Sequence, residues 1–264
     1  MVEFAAVNGA RIAYTLDGPA AAPVLTMSHS LSADHSMWDP QMPALTDAYR
    51  VLRFDTRGHG VSDAPAGEYT LDQLAADVTG LWEHLGIAST HFCGLSMGGM
   101  IGQTLALKAP KFLRTLVLCD TASSYPPAAQ AMWAERIVAA KANGLEAGID
   151  GTIDRWFSPG FVARAPEVIA GVKRMIAATP VDGYCGCGAA ISRLALTDRL
   201  GEIQVPTLVI CGEDDPGTPL AMSEVIRDGI AGAELVVLPE ARHLSNMEAV
   251  EGFNTALRGF LDKH

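Results

Sequence analysis

Ser96 stands between Gly94 and Gly98 in the stretch Phe92-Cys93-Gly94-Leu95-Ser96-Met97-Gly98-Gly99, a Gly-x-Ser-x-Gly pattern. A short apolar run, Thr90 to Cys93, precedes it, and Met100 to Ala109, ended by Pro110, reads as a helix. A serine on a sharp strand-to-helix turn is held in a strained backbone with its hydroxyl exposed, and small neighbours let strand and helix approach closely. The helix start offers free N–H groups to a developing negative charge. The chemistry this suits is nucleophilic attack by a hydroxyl. The pattern by itself is also met in turns that only close a strand–helix unit.

A serine hydroxyl needs a base to take its proton, and the base needs an acid to orient it. Seven histidines compete: His29, His35, His59, His84, His91, His243 and the terminal His264. His84 falls late in a surface helix and His91 opens a buried strand, so both read as structural. His243 lies in Glu240-Ala241-Arg242-His243-Leu244, directly after the last apolar strand, where a ring can reach over the strand ends. The acid should follow a strand between Ser96 and His243. Glu213, Asp214 and Asp215 do so, and Asp215 is preferred; Asp120, at the end of the preceding strand, is the alternative. The remaining acids fit turn and capping work. Two backbone N–H donors complete such a site, expected from Met97 and from Leu31 in the loop after the third strand. No metal or cofactor is called for.

These loops need a scaffold that brings them to one edge. Val2–Val7 and Arg11–Thr15 read as a hairpin around Asn8-Gly9. Further strands are expected at Pro23–Met27, Arg50–Phe54, Thr90–Cys93, Leu113–Cys119, Pro206–Cys211 and Glu234–Leu238. Helices are expected at Trp38–Leu45, Leu71–Leu85, Met100–Ala109, Leu220–Ile230 and Ser245–Leu261. The alternation implies an α/β fold with a mostly parallel eight-stranded sheet flanked by helices, its ligands at the carboxyl ends of the strands. Residues 121–198 show only helical pieces, near Met132–Ala142, Leu145–Trp156 and Val168–Ala178. They read as a helical cap inserted into a single core formed by 1–120 and 199–264.

The 264 residues suffice for one large core. A net charge of −11 disfavours nucleic acid and anionic membranes as partners. No apolar run reaches spanning length, and the N-terminus does not read as a signal peptide. Five cysteines without metal-site or CxxC spacing fit reduced thiols in a cytoplasmic protein. The expected partner is a small lactone or ester.

The serine turn, Asp55-Thr56-Arg57-Gly58-His59-Gly60-Val61-Ser62, Asp215-x-x-Thr218-Pro219 and the His243 loop follow one another as in the α/β-hydrolase family, which the chain resembles over essentially its whole length. In that family the Asp55–Ser62 turn packs beside the site and is not catalytic. More narrowly, Ser36–Gln41, Tyr49–Gly60, His91–Gln103, Arg155-Trp156-Phe157, Pro180–Tyr184 and His243–Asn246 resemble 3-oxoadipate enol-lactonases of aromatic degradation. One departure is the loop Ser28-His29-Ser30-Leu31-Ser32, with His29 and Ser32 where that subfamily is expected to have Asn and Gly. The resemblance implies a serine hydrolase that opens an enol-lactone through an acyl-enzyme on Ser96. Its substrate would carry a carboxylate, for which Arg136, Arg155 and Arg193 are candidate partners. Trp38, Trp133, Trp156 and Tyr184 are candidates for lining the pocket. The same scaffold would also suit another lactonase, a carboxylesterase, a perhydrolase or a catalytically silent small-molecule receptor.

Overall fold

The structure, a computed structural model, describes residues 1–264, the side chain of Pro127 excepted. Eight apolar runs form one sheet: β1 (Glu3–Val7), β2 (Ala10–Asp17), β3 (Val24–Ser28), β4 (Arg50–Phe54), β5 (Thr90–Leu95), β6 (Leu113–Cys119), β7 (Thr207–Gly212) and β8 (Glu234–Leu238). Their order is β1-β2-β4-β3-β5-β6-β7-β8. β2 runs antiparallel to β1 and β4, and every other neighbouring pair is parallel. The β1–β2 hairpin turns through Asn8 and Gly9, both at positive φ, as a two-residue turn matched to strand twist requires.

The central strands read as continuous apolar runs because both of their faces are covered. Phe92, Leu116 and Leu118 face a core shared with Leu74, Val78, Trp82, Ile101 and Leu105. Their neighbours Cys93, Leu95, Val117 and Cys119 face a second core with Trp38, Phe253, Leu257 and Phe260. The first layer comprises α2 (Leu71–His84), α3 (Met97–Lys108) and α9 (Leu220–Gly229); the second includes α1 (Met42–Leu45) and α11 (Val250–Leu261). Each such apolar side chain contributes about 1.5–3 kcal/mol when fully buried.

The chain pairs β4 on one side of β3, then crosses through α2 to place β5 on the other. The loops leaving β3 and β5 therefore diverge, and a crevice opens at their carboxyl ends. Between β6 and β7 lie α4 (Pro127–Asn143), α5 (Ile149–Trp156), α6 (Pro159–Arg164), α7 (Pro166–Ala178) and α8 (Val181–Ser192). The two ends of this segment meet, since Ser124 bridges Ala195 and Leu196 N–H donates to Ser123 O.

Four elements differ from the sequence expectation, one being α6, which has no counterpart in it. The helix expected at Trp38–Leu45 is a 3₁₀ run, His35–Gln41, followed by the single turn of α1. The closing helix is broken at Ala249, giving α10 (Ser245–Glu248) before α11. Helix α8 has no counterpart in the sequence reading, because Gly183, Gly186 and Gly188 weaken its helical signal. Gly183 has a packing reason: a Cβ there would stand 1.9 Å from Gly58 O in the 55–62 turn. Among the described residues no helix is long and apolar enough to cross a membrane.

The start of α3 lies so close to β3 that a Cβ on Gly98 would sit 2.2 Å from Ser28 O. Backbone cannot yield there as a flexible side chain would. Gly98→Ala should therefore destabilise the fold by about 3 kcal/mol, near the top of the usual overpacking range. In thermal unfolding this is a fall in Tm of about 6–12 °C; an unchanged Tm would show that helix and strand can separate.

Candidate active site

β5 carries the chain to Ser96, where it turns sharply into α3. Ser96 has φ 56° and ψ −114°, a conformation rarely adopted by L residues and one that persists only when its surroundings hold it. Here Ser96 N–H donates to Cys119 O at 2.8 Å, and Ser96 O accepts from Thr121 Oγ1 at 2.7 Å. Both grips come from β6 and the residues just after it. Met97 opens α3, so its N–H has no partner within the helix.

His243 sits in the loop after β8. Asp214 N–H holds this loop through Ala241 O at 2.9 Å, and Arg242 N–H donates to Glu248 at 2.9 Å. The ring is thereby fixed with Nε2 2.9 Å from Ser96 Oγ and Nδ1 2.7 Å from Asp215 Oδ2. Asp215, in the loop after β7, has its other contacts satisfied locally. Gly217 N–H and Thr218 N–H donate to Oδ1 at 2.7 and 3.2 Å, and Thr218 Oγ1 donates to Oδ2 at 2.5 Å. All three side chains are buried, Ser96 retaining 9% exposure. That is little water to compete with the chain of hydrogen bonds.

Electrostatics separates the two candidate acids. Burial works against the Asp215 charge, but His243, Thr218 and the Gly217 N–H outweigh it and hold the carboxyl below its ordinary value. Burial likewise works against an imidazolium at His243, yet Asp215, by charge and hydrogen bond, and then Asp120 raise its affinity for a proton. Asp120 is different: burial, then repulsion from Asp215, push its carboxyl up to about 8. Its oxygens are taken by Gly212 N–H at 2.8 Å and Ser245 Oγ at 2.5 Å. The imidazole faces Asp215, not the alternative Asp120, which instead joins the ends of β7 and α10 to β6.

A cavity of about 210 Å³ opens over Ser96 and His243, with Leu31 on one wall. Trp133 and Arg136 of α4, Arg155 and Trp156 of α5 and Tyr184 of α8 close it from above. Among the described residues neither Arg136 nor Arg155 has a carboxylate partner; Arg136 stacks over Trp133 at 5.0 Å and Arg155 donates to Thr152 Oγ1. Burial, then the neighbouring Arg136, lower the Arg155 pKa. Two guanidinium groups without an ion-pair partner thus share one small cavity. Two sequence candidates fall elsewhere. Trp38 is fully buried in the second core against Phe253, its aromatic surface taken up by packing. Arg193 is 54% exposed and pairs with Glu68 outside the cavity. Thr218 and the lining residues Tyr125, Met132 and Thr152 carried no chemical signal in the sequence; only the Asp215-x-x-Thr218 spacing hinted at the first.

Asp34, His35 and Asp55 bring possible metal-ligand atoms within 4.8 Å of one another. The Asp55 carboxylate there already accepts from His35 N–H, His35 Nδ1 and Val61 N–H. The cluster acts as a tie between the 3₁₀ run and the 55–62 turn.

The model of the alpha/beta hydrolase fold family matches residues 23–250. A 3-oxoadipate enol-lactonase from Acinetobacter baylyi is 37% identical over 95% of this chain and 92% of its own. A protein of Stutzerimonas stutzeri whose name assigns it carbamate hydrolysis is 30% identical over 89% of this chain and 90% of its own. Among solved structures, the enol-lactonase from Burkholderia xenovorans superposes with a TM-score of 0.95 at 40% identity, covering 98% of this chain and all of that one. A thermophilic esterase from Thermogutta terrifontis, solved with malate bound, gives 0.93 at 30% identity, covering 100% and 98%. With its sheet order, its strained serine turn and these likenesses over nearly the whole length, the chain belongs to the α/β-hydrolase family.

Proposed function

We propose that the protein is a serine hydrolase that opens the ring of 3-oxoadipate enol-lactone, with Ser96, His243 and Asp215 as its catalytic residues. The observation that carries the chemistry is the unbroken chain from Ser96 Oγ to His243 Nε2 and from Nδ1 to Asp215. Ser96 Oγ attacks the lactone carbonyl as His243 takes its proton. Asp215 holds the tautomer and stabilises the imidazolium. The Leu31 and Met97 N–H groups receive the oxyanion. Collapse breaks the ring C–O bond and expels an enolate, which is protonated and becomes a ketone. Water, activated by His243, then releases the acid from Ser96. The helices of residues 121–198 act as the cap that shapes the substrate cavity.

The choice of substrate rests on the enol-lactonase relatives and on the two unpaired guanidinium groups. The esterase neighbour, solved with the dicarboxylate malate bound, is in keeping with a carboxylate-bearing substrate. A cavity of about 210 Å³ suits a small acid of this kind. The five free cysteines, all buried, support a cytoplasmic setting. The relative named for carbamate hydrolysis supports a second reading, hydrolysis of another small acyl compound by the same machinery.

Ser96→Ala should lower kcat/KM for the enol-lactone by about 10⁴-fold or more, and Asp215→Asn by a similar order, whereas Asp120→Asn should cost far less. A loss of only a fewfold in Ser96→Ala would remove the nucleophile. Arg136→Ala or Arg155→Ala should raise KM for the enol-lactone by about 10- to 100-fold, the worth of a charge-assisted hydrogen bond. Turnover of the neutral ester p-nitrophenyl acetate should be unaffected. An equal loss on both substrates would move the arginines from recognition to folding.

A further inference from the structure

The loop after β3 and the turn after β4 are joined by two histidines that the mechanism above does not use. His29 belongs to the loop, and its Nε2 accepts Thr56 N–H of the turn at 2.8 Å. His59 belongs to the turn, and its Nε2 accepts Ser32 N–H of the loop at 3.0 Å. The exchange is reciprocal: each segment lends the other one acceptor. The rings lie 5.2 Å apart and are fully buried.

The tautomers follow from these partners. A nitrogen that accepts an N–H carries no proton, so each neutral ring keeps its proton on Nδ1. His29 Nδ1–H then donates to Ser30 O at 2.7 Å, and His59 Nδ1 faces Arg57 O at 3.4 Å. Burial favours the neutral rings. It lowers the pKa of His29, and with the neighbouring His29 it takes His59 down to about 3. Asp55, whose charge acts on both rings, is held by His35 and Val61.

The consequence lies in one peptide group. The Ser30–Leu31 peptide is planar and trans, so its N–H points opposite to its C=O. Ser30 O is fixed by His29 Nδ1–H and Ala33 N–H. Leu31 N–H is therefore turned to the other side, and among the described residues no partner is found for it. Ser30, Leu31 and Ser32 line the same cavity as Ser96 and His243. Ser32 completes the loop at φ 62°, a left-handed conformation uncommon outside glycine, and the bond to His59 restrains it there.

We infer that His29 and His59 are positioning residues that together fix the Ser30–Leu31 peptide so that Leu31 N–H is preset to receive the oxyanion. The inference rests on the serine-hydrolase reading above. One clasp alone would let the loop pivot about its other end; two, at residues 29 and 32, oppose a flip of the peptide between them. Preset donors stabilise the transition state because they need no reorganisation when charge appears.

The experiment compares His59→Leu, which removes the acceptor, with His59→Gln, whose amide oxygen can replace it. Loss of a single oxyanion donor is worth about 10²–10³ in kcat, so a misplaced one in His59→Leu should cost about 10- to 100-fold in kcat with KM changed less than about 3-fold. The inhibition constant of phenylboronic acid, a tetrahedral mimic, should weaken in parallel, and His59→Gln should recover most of both. An unchanged kcat in folded His59→Leu, a change confined to KM, or no recovery in His59→Gln would overturn the inference. Should His59→Leu fail to fold, amide NMR of the unaltered protein decides: phenylboronic acid should shift the Leu31 resonance strongly and the Ser32 resonance little. An unmoved Leu31 amide would overturn the inference. If Ser96→Ala retained activity, the hydrolase reading would fail instead, whatever the outcome at His59.

Discussion

A carboxylate removed from water must be matched by donors, and at Asp215 that requirement organises the site. Gly217 and Thr218 satisfy part of the charge and His243 Nδ1 the rest. An isolated buried charge is expensive; one with hydrogen-bonded partners persists. The imidazole is consequently pinned by its far side, and its free nitrogen can point only at Ser96. Asp120, buried close by, is pushed up to about 8 and has its oxygens occupied, so the two acids do not share one role. Neighbouring carboxylates whose environments drive them apart are a recurrent way of dividing such work.

The rest of the fold supplies the positions. Ser96 comes from β5, Asp215 follows β7, His243 follows β8 and Leu31 follows β3, so four strand ends converge on one edge of the sheet. The strain of Ser96 is held by a hydrogen bond to Cys119 O and one from Thr121 Oγ1 beside it. Helices between β6 and β7 then close the cavity with aromatic walls and two guanidinium groups lacking ion-pair partners. The proposed reacting groups and the proposed recognition groups thus come from different parts of the chain.

Much of this was legible because both faces of the central strands are buried. That produces runs such as Leu116–Cys119 and Thr207–Cys211, whose limits can be read within a residue or two. Ser96 was legible because it follows such a run at a turn of distinctive composition, and His243 because its loop follows the last apolar strand, the partly exposed edge strand β8. Asp215 and Asp120 were not separable by that argument, since both follow strands; the distinction lies in which oxygen faces the ring. Trp38 and Arg193 show the limit of residue type. An indole packs equally well in a core as in a pocket, and an arginine's direction depends on a partner, here Glu68, 125 residues away. Helix α8 was hidden by its glycines, of which Gly183 is demanded by close packing against the 55–62 turn and Gly186 by the Tyr69 ring.

The central claim is that neutral His243, its proton affinity raised by Asp215, is the base for Ser96. Protonation would disable it, so activity should be full above the pKa of His243 and lost as pH falls through it. The direct measurement is kcat/KM for the enol-lactone between pH 5 and 9. The account predicts a single-proton fall on the acid side with a midpoint above the ordinary histidine value of about 6.5. A rate that stays flat from pH 8 to 5, in protein that remains folded, would contradict it.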